Sequence, residues 1–124
     1  MAAPNILSAT SVLGKSATVS LTTTSATEVL SNAASSGKVF KVNTLIVSNV
    51  DGTDPSDITV SYYSEDNIGG TATEIIQLKS VSANTNLVVL NKDTAIYLEE
   101  DRSIGATASS SNDLKIIVSY EEIA

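Results

Sequence analysis

Apolar and polar residues alternate with a period of two along most of this chain. A strand with one buried face produces that pattern, whereas a helix repeats every 3.6 residues. From Val39 onward the pattern is continuous and punctuated by turn residues. Phe40, Val42 and Ile46 fall on one side of a long strand, and Lys41, Asn43 and Leu45 on the other. Apolar residues on both sides near its middle mark a central strand. The next strand places Ile58, Val60 and Tyr62 opposite Thr59, Ser61 and Tyr63. Gly69-Gly70 ends the loop after it. Ile76 and Leu78 mark a further strand, and Leu87 to Leu90 a short, fully apolar one. Ile96 and Leu98 point away from Tyr97, and Ile104, Ala106 and Ala108 continue the alternation. Leu114, Ile116, Val118 and Tyr120 close it, opposite Lys115, Ile117, Ser119 and Glu121.

Upstream of Val39 the signal is weaker. Ala17, Val19 and Leu21 alternate with Thr18, Ser20 and Thr22, and Thr27 to Leu30 forms a short strand. Ser31 to Gly37 reads as a small-residue loop in which Asn32-Ala33-Ala34 has the composition for one helical turn. About eight or nine short strands at near-regular spacing predict an all-β chain, an antiparallel β-sandwich of jelly-roll-like form. No intervening segment is long enough for the crossover that parallel strands need. Residues 1–11 lack periodicity and read as an N-terminal arm that either lies on the domain or reaches a neighbour; residues 12–124 read as a single sandwich domain.

Composition adds exclusions. The 124 residues contain no Cys and no His, and Ser and Thr make up about a quarter of them. Stability is therefore indifferent to redox state. Ser–His–Asp, Cys–His and zinc-ligand arrangements cannot be built, and P-loop, HExxH and GxGxxG patterns are absent. Only carboxylate chemistry remains, and a glycosidase cleft also needs sugar-stacking aromatics. Aromatics are 4% and Trp is missing. The expectation is a protein that is not an enzyme and carries no cofactor. A net charge of -7, with Arg102 the sole arginine, lacks the cationic footprint of a nucleic-acid binder and discourages contact with anionic membrane. No stretch approaches the roughly 20 apolar residues of a transmembrane helix, and Met1-Ala2-Ala3-Pro4-Asn5 does not start a secretory signal.

Three groups of residues have a functional reading beside a plainer one. Asp51, Asp54 and Asp57 place three carboxylates in the loop Asp51-Gly52-Thr53-Asp54-Pro55-Ser56-Asp57. Such oxygens suit Ca²⁺, but the spacing is not that of an EF-hand. The plainer reading is a set of turn formers bonding nearby backbone. Glu99, Glu100 and Asp101, followed by Arg102, read either as a solvated hairpin tip between the Tyr97 and Ile104 strands or as a docking patch for a basic partner. Tyr62 and Tyr63 must face opposite sides of their strand, so Tyr63, with Tyr97, is a candidate contact residue.

The segments Val39 to Thr53 and Ile96 to Glu100, with the closing Val118-Ser119-Tyr120-Glu121-Glu122-Ile123, resemble small virion structural proteins of marine tailed phages, including cyanophages. The likeness extends from about Ala17 to the end and is made of strand-and-turn patterns, so it implies no catalytic residues. It implies a virion protein made in the host cytoplasm, a homo-oligomer or one present in many copies per particle: a head-decoration protein, or else a neck or tail component, bound to larger capsid, neck or tail subunits. The alternative is a virion module that binds host-surface glycans or receptors through its end loops.

Overall fold

Each alternating segment becomes a strand, and the strands pair only with antiparallel neighbours. The computed structural model describes residues 5–124. Among them are β1 (Val12–Ser20), β2 (Thr27–Asn32), β3 (Val39–Asn49), β4 (Ser56–Glu65), β5 (Gly69–Val81), β6 (Asn86–Leu90), β7 (Ile96–Leu98), β8 (Arg102–Ala108) and β9 (Leu114–Ile123). One sheet runs β1-β9-β3, with β6 and β7 sharing the far edge of β3; the other runs β2-β8-β4-β5. The pairings nest: β1 with β9, β2 with β8, β3 with β6 and β7, and β4 with β5. A long hairpin rolled around a common core gives this order, so the fold is a jelly roll. The single jelly-roll strand opposite β3 is split into β6 and β7 by a 3₁₀ turn at Lys92–Thr94, capped by Asn91, whose Oδ1 accepts from Asp93 N at 2.9 Å.

The core is aliphatic. Leu21, Leu45, Ile58, Leu98, Ile104, Leu114 and Ile116 are among its fully buried side chains. Full burial of such a side chain contributes roughly 1.5–3 kcal/mol. At one end the core closes with Phe40 against Tyr120, ring centroids 5.1 Å apart. On β9 the expected face holds: Leu114, Ile116 and Val118 are buried, while Lys115 and Ile117 are exposed.

The face assignment along β3 needs correcting. Phe40 and Val42 point inward as expected, but so does Leu45, and Ile46 lies on the outer side. The register against β9 slips between Val42 and Thr44, inserting Asn43 as an extra residue. One inserted residue reverses every later side chain. Two further expectations shift. Leu87 to Leu90 is an outer strand with only Leu90 fully buried, and Asn32-Ala33-Ala34 forms no helix.

Edge strand β5 spends thirteen residues against the ten of β4. The surplus is taken up by slips at Ile58/Val60, Val60/Ser61 and Tyr63/Glu65. Leu78 sits in the first of these with φ 48°, 65% exposed, and its amide is held by Thr59 Oγ1 at 3.0 Å. Repeated bulges twist an edge away from further pairing.

Candidate functional site

Side-chain hydrogen bonds hold the loops at the two ends of the sandwich. At one end the turn joining β4 to β5 folds back over the outer side of β8. Asn67 and Ile68 both take positive φ, 54° and 52°. That conformation is costly for a β-branched residue and persists only where its surroundings hold it. Here Ile68 N donates to Ser103 Oγ at 2.8 Å and Asn67 N to Ser31 Oγ at 3.0 Å, while Ser103 Oγ donates to Glu65 O at 2.8 Å. Ile68 lies directly over Gly105. A Cβ added there would stand 2.8 Å from Ile68 Cγ2 and 2.9 Å from Tyr63 Cε1.

The acidic cluster belongs to the same end. Its reading as a hairpin tip is corrected: β7 pairs with β3 in one sheet and β8 with β2 and β4 in the other, so Glu99 to Asp101 cross between sheets. Glu99 is exposed, whereas Glu100 and Asp101 are half-buried. Glu100 Oε2 accepts from Gly37 N at 3.2 Å, and Asp101 Oδ1 from Asp66 N at 3.0 Å. Arg102 Nη1 donates to Ser64 O at 3.0 Å. Two of the three acids thus fasten loop amides that would otherwise lack partners.

Buried Asn32, at the end of β2, does the same from inside. Its Nδ2 donates to Lys38 O at 2.9 Å and Leu98 O at 3.0 Å, and its Oδ1 accepts from Ser36 Oγ at 2.6 Å. Asn49 repeats the device at the opposite end, donating to Asp54 O and Val81 O and accepting from Asp51 N. Asp51 in turn holds Thr53 N at 3.2 Å, and Asp57 O accepts from Ser109 N at 3.0 Å. Asp51, Asp54 and Asp57 are not gathered around a common point. Among the described residues no group of three or more acids could hold a metal ion.

Tyr63 is half-buried against Gly105, and Tyr97 is exposed on β7. Tyr62 packs against the core, where burial pushes its phenol above the usual 10.0, opposed in part by the Arg102 guanidinium. A raised phenol favours the neutral form in the folded state. Its contribution is complete below pH 10 and is lost as pH rises through the higher folded value. Thermal melts between pH 9 and about 11.5 should therefore fall less steeply for Tyr62→Phe than for the wild type. Parallel curves would remove this role.

Sequence patterning passed over several residues that matter most here: Asn32, Asn49, Ser103, Gly105 and Glu122. Glu122 lies at the rim of the core on β9 and pairs with Lys15 Nζ at 3.2 Å and Lys38 Nζ at 3.5 Å. The available signal was position. Asn32 and Asn49 each end an apolar run before a turn-rich loop, where an amide side chain can replace backbone partners.

Exposed apolar side chains gather elsewhere. Ile6, Leu7, Val12 and Leu13 are each at least half exposed, along the end of the arm and the start of β1. A second row crosses the outer side of the β1-β9-β3-β6 sheet, where Ile46 lies beside Ile117 and Val88. Residues 1–4 of the expected arm lie outside the described residues. Within the rest, Thr10 N and Ser11 N both donate to Ala124 O, at 2.7 and 3.0 Å.

No family model and no curated protein matches this chain. Among solved structures, its fold is similar to a chain of Bacillus endospore appendages, described as a novel family of disulfide-linked pili. The TM-score is 0.52 at 10% identity, over 91% of this chain and 88% of that one.

Proposed function

We propose that this protein is a non-catalytic structural part of a tailed-phage particle, a head-decoration protein or else a neck or tail component, docking in many copies onto larger subunits. The observation that carries this reading is the distribution of its surface. Asn32, Asn49, Glu100 and Asp101 at the sandwich ends are engaged in fastening loops, while Ile6, Leu7, Val12 and Leu13, within one short stretch of chain, each leave half or more of their surface exposed. Exposed apolar side chains concentrated in one stretch mark interaction surfaces more often than singly scattered ones do. Resemblance to small phage virion proteins supplies the kind of particle. The fold neighbour from spore pili supplies a precedent for a chain of this shape serving as a building block, although this sequence has no Cys for disulfide links. A module that binds only the assembled lattice stabilises it by mass action.

Removal of residues 1–9 tests the reading, because it spares the Thr10 and Ser11 bonds to Ala124. The truncated protein should melt within a few degrees of the full chain, since few folded contacts are lost. Its occupancy on assembled particles should drop at least about tenfold, the equivalent of about 1.4 kcal/mol. Unchanged occupancy would reject the arm as a docking element.

A further inference from the structure

Among the described residues no strand pairs with the outer edge of β1, and we infer that two copies of this chain join there into one continuous sheet. Ser11 and Ala124 exchange both amide hydrogen bonds, each 3.0 Å, and Leu21 N donates to Leu114 O at 3.0 Å. Between these points the β1–β9 register runs without a slip. Antiparallel strands bond to a given neighbour through every second residue. Leu13, Lys15, Ala17 and Val19 therefore bond to β9, and the N–H and C=O groups of Val12, Gly14, Ser16, Thr18 and Ser20 point out along the open edge.

The molecule's other edges are guarded. β5 carries three register slips, and β2 has one beside Glu28. β6 and β7 are short and interrupted. β1 has nine residues, no slip and a single charge. That charge, Lys15, is turned back over its own sheet onto Glu122 at 3.2 Å, and so does not serve as an edge guard.

The occupant follows from symmetry. Antiparallel pairing about a two-fold axis through Ser16 sets Val12 opposite the second copy's Ser20, Gly14 opposite its Thr18 and Ser16 opposite its Ser16. Every outward amide and carbonyl of β1 then finds a partner, as an isologous contact requires. The inner face agrees. Half-exposed Leu13 meets Val19, which already packs on the core, and Lys15 meets Ala17. Shifting the axis to Lys15 would put the two lysines opposite each other, a destabilising pair. The acidic excess does not oppose contact, because residues 1–27 contain no Asp or Glu.

This inference is independent of the particle reading, since the arm can be dispensable for docking while β1 still pairs. Sedimentation of the full chain should give twice the monomer mass. Gly14→Pro removes an outward N–H at a position where an added Cβ meets nothing within 4 Å. It should give the monomer mass with an unchanged circular dichroism spectrum. Because the sequence has no Cys, Ser16→Cys places one thiol on the axis. Oxidation should link that variant into dimers, whereas Thr18→Cys, which faces Gly14, should stay unlinked. This second test decides the matter should Gly14→Pro fail to fold. A wild type that stays monomeric up to millimolar concentration, a dimer insensitive to Gly14→Pro, or equal cross-linking of both cysteine variants would overturn the inference.

Discussion

Asn32→Ala is expected to destabilise the fold by about 3 kcal/mol, because buried groups left without partners cost roughly 1–3 kcal/mol each. The side chain is fully buried and ties three segments together: the β2–β3 loop through Ser36, the start of β3 through Lys38 O, and β7 through Leu98 O. Truncation leaves both carbonyls and the Ser36 hydroxyl without their partner. A loss of that size should lower the melting temperature by about 10 °C in a domain of this length. Asn32→Asp is the sharper test. It preserves shape but cannot donate to Lys38 O or Leu98 O, and it introduces a buried charge. It should be at least as damaging as the alanine. Equal stability of Asn32→Asp and wild type in thermal and urea melts would show that the two donated bonds contribute little.

Gly105→Ala should cost about 2 kcal/mol, within the range for overpacking a closed site. The new methyl would press on Ile68 Cγ2 at 2.8 Å and Tyr63 Cε1 at 2.9 Å, with Thr27 O at 3.3 Å on a third side. Neither side chain is free to swing away. Tyr63 is half-buried, and the Ile68 backbone is fixed by its amide's bond to Ser103 and its positive φ, while branching at Cβ restricts its side chain. Relief must come from lifting the β4–β5 turn, which would loosen its links to Ser31 and Asp101. A double-mutant cycle checks the cause. Ile68→Ala removes the nearest contact, so Gly105→Ala should cost markedly less in that background than in the wild type. Additive losses would place the strain elsewhere.

The two variants probe the same end of the sandwich from opposite sides, Asn32 from within and Gly105 from the outer surface. Both act on segments that sequence patterning read as loops. Together they predict that this end is a rigid, hydrogen-bonded cap despite its Gly-, Ser- and Asp-rich composition. Amides that donate to Ser103, Asp101 and Glu100 should exchange with solvent far more slowly than those of an open loop.

Alternation along the chain was enough to establish an all-β fold, because a residue's face in a strand is a local property. Segments such as Leu114 to Tyr120, where no residue is inserted, show their buried side directly in the sequence. Asn43 and Leu78 mark where that logic ends. A bulge adds one residue for reasons that lie in the neighbouring strand, and every face beyond it reverses without any sign in the local pattern. Adjacency of Tyr62 and Tyr63 likewise revealed that they part, but not that Tyr63 would rest on a glycine forty-two positions away.

The polar residues divide in the same way. Composition showed that His and Cys chemistry is impossible, since those side chains are missing outright. It could not show that Glu100 and Asp101 bond loop amides rather than facing solvent, or that Asp51, Asp54 and Asp57 remain apart. Those outcomes depend on which sheet each flanking strand joins. Sequence by itself determined strand content and the classes of chemistry excluded, because both follow from single residues and their nearest neighbours. Tertiary structure alone decided the jelly-roll nesting, the guarded and open edges, and the loop-fastening role of Asn32 and Asn49. Each of these is a relation between segments far apart in the chain, fixed when their unpaired backbone groups meet.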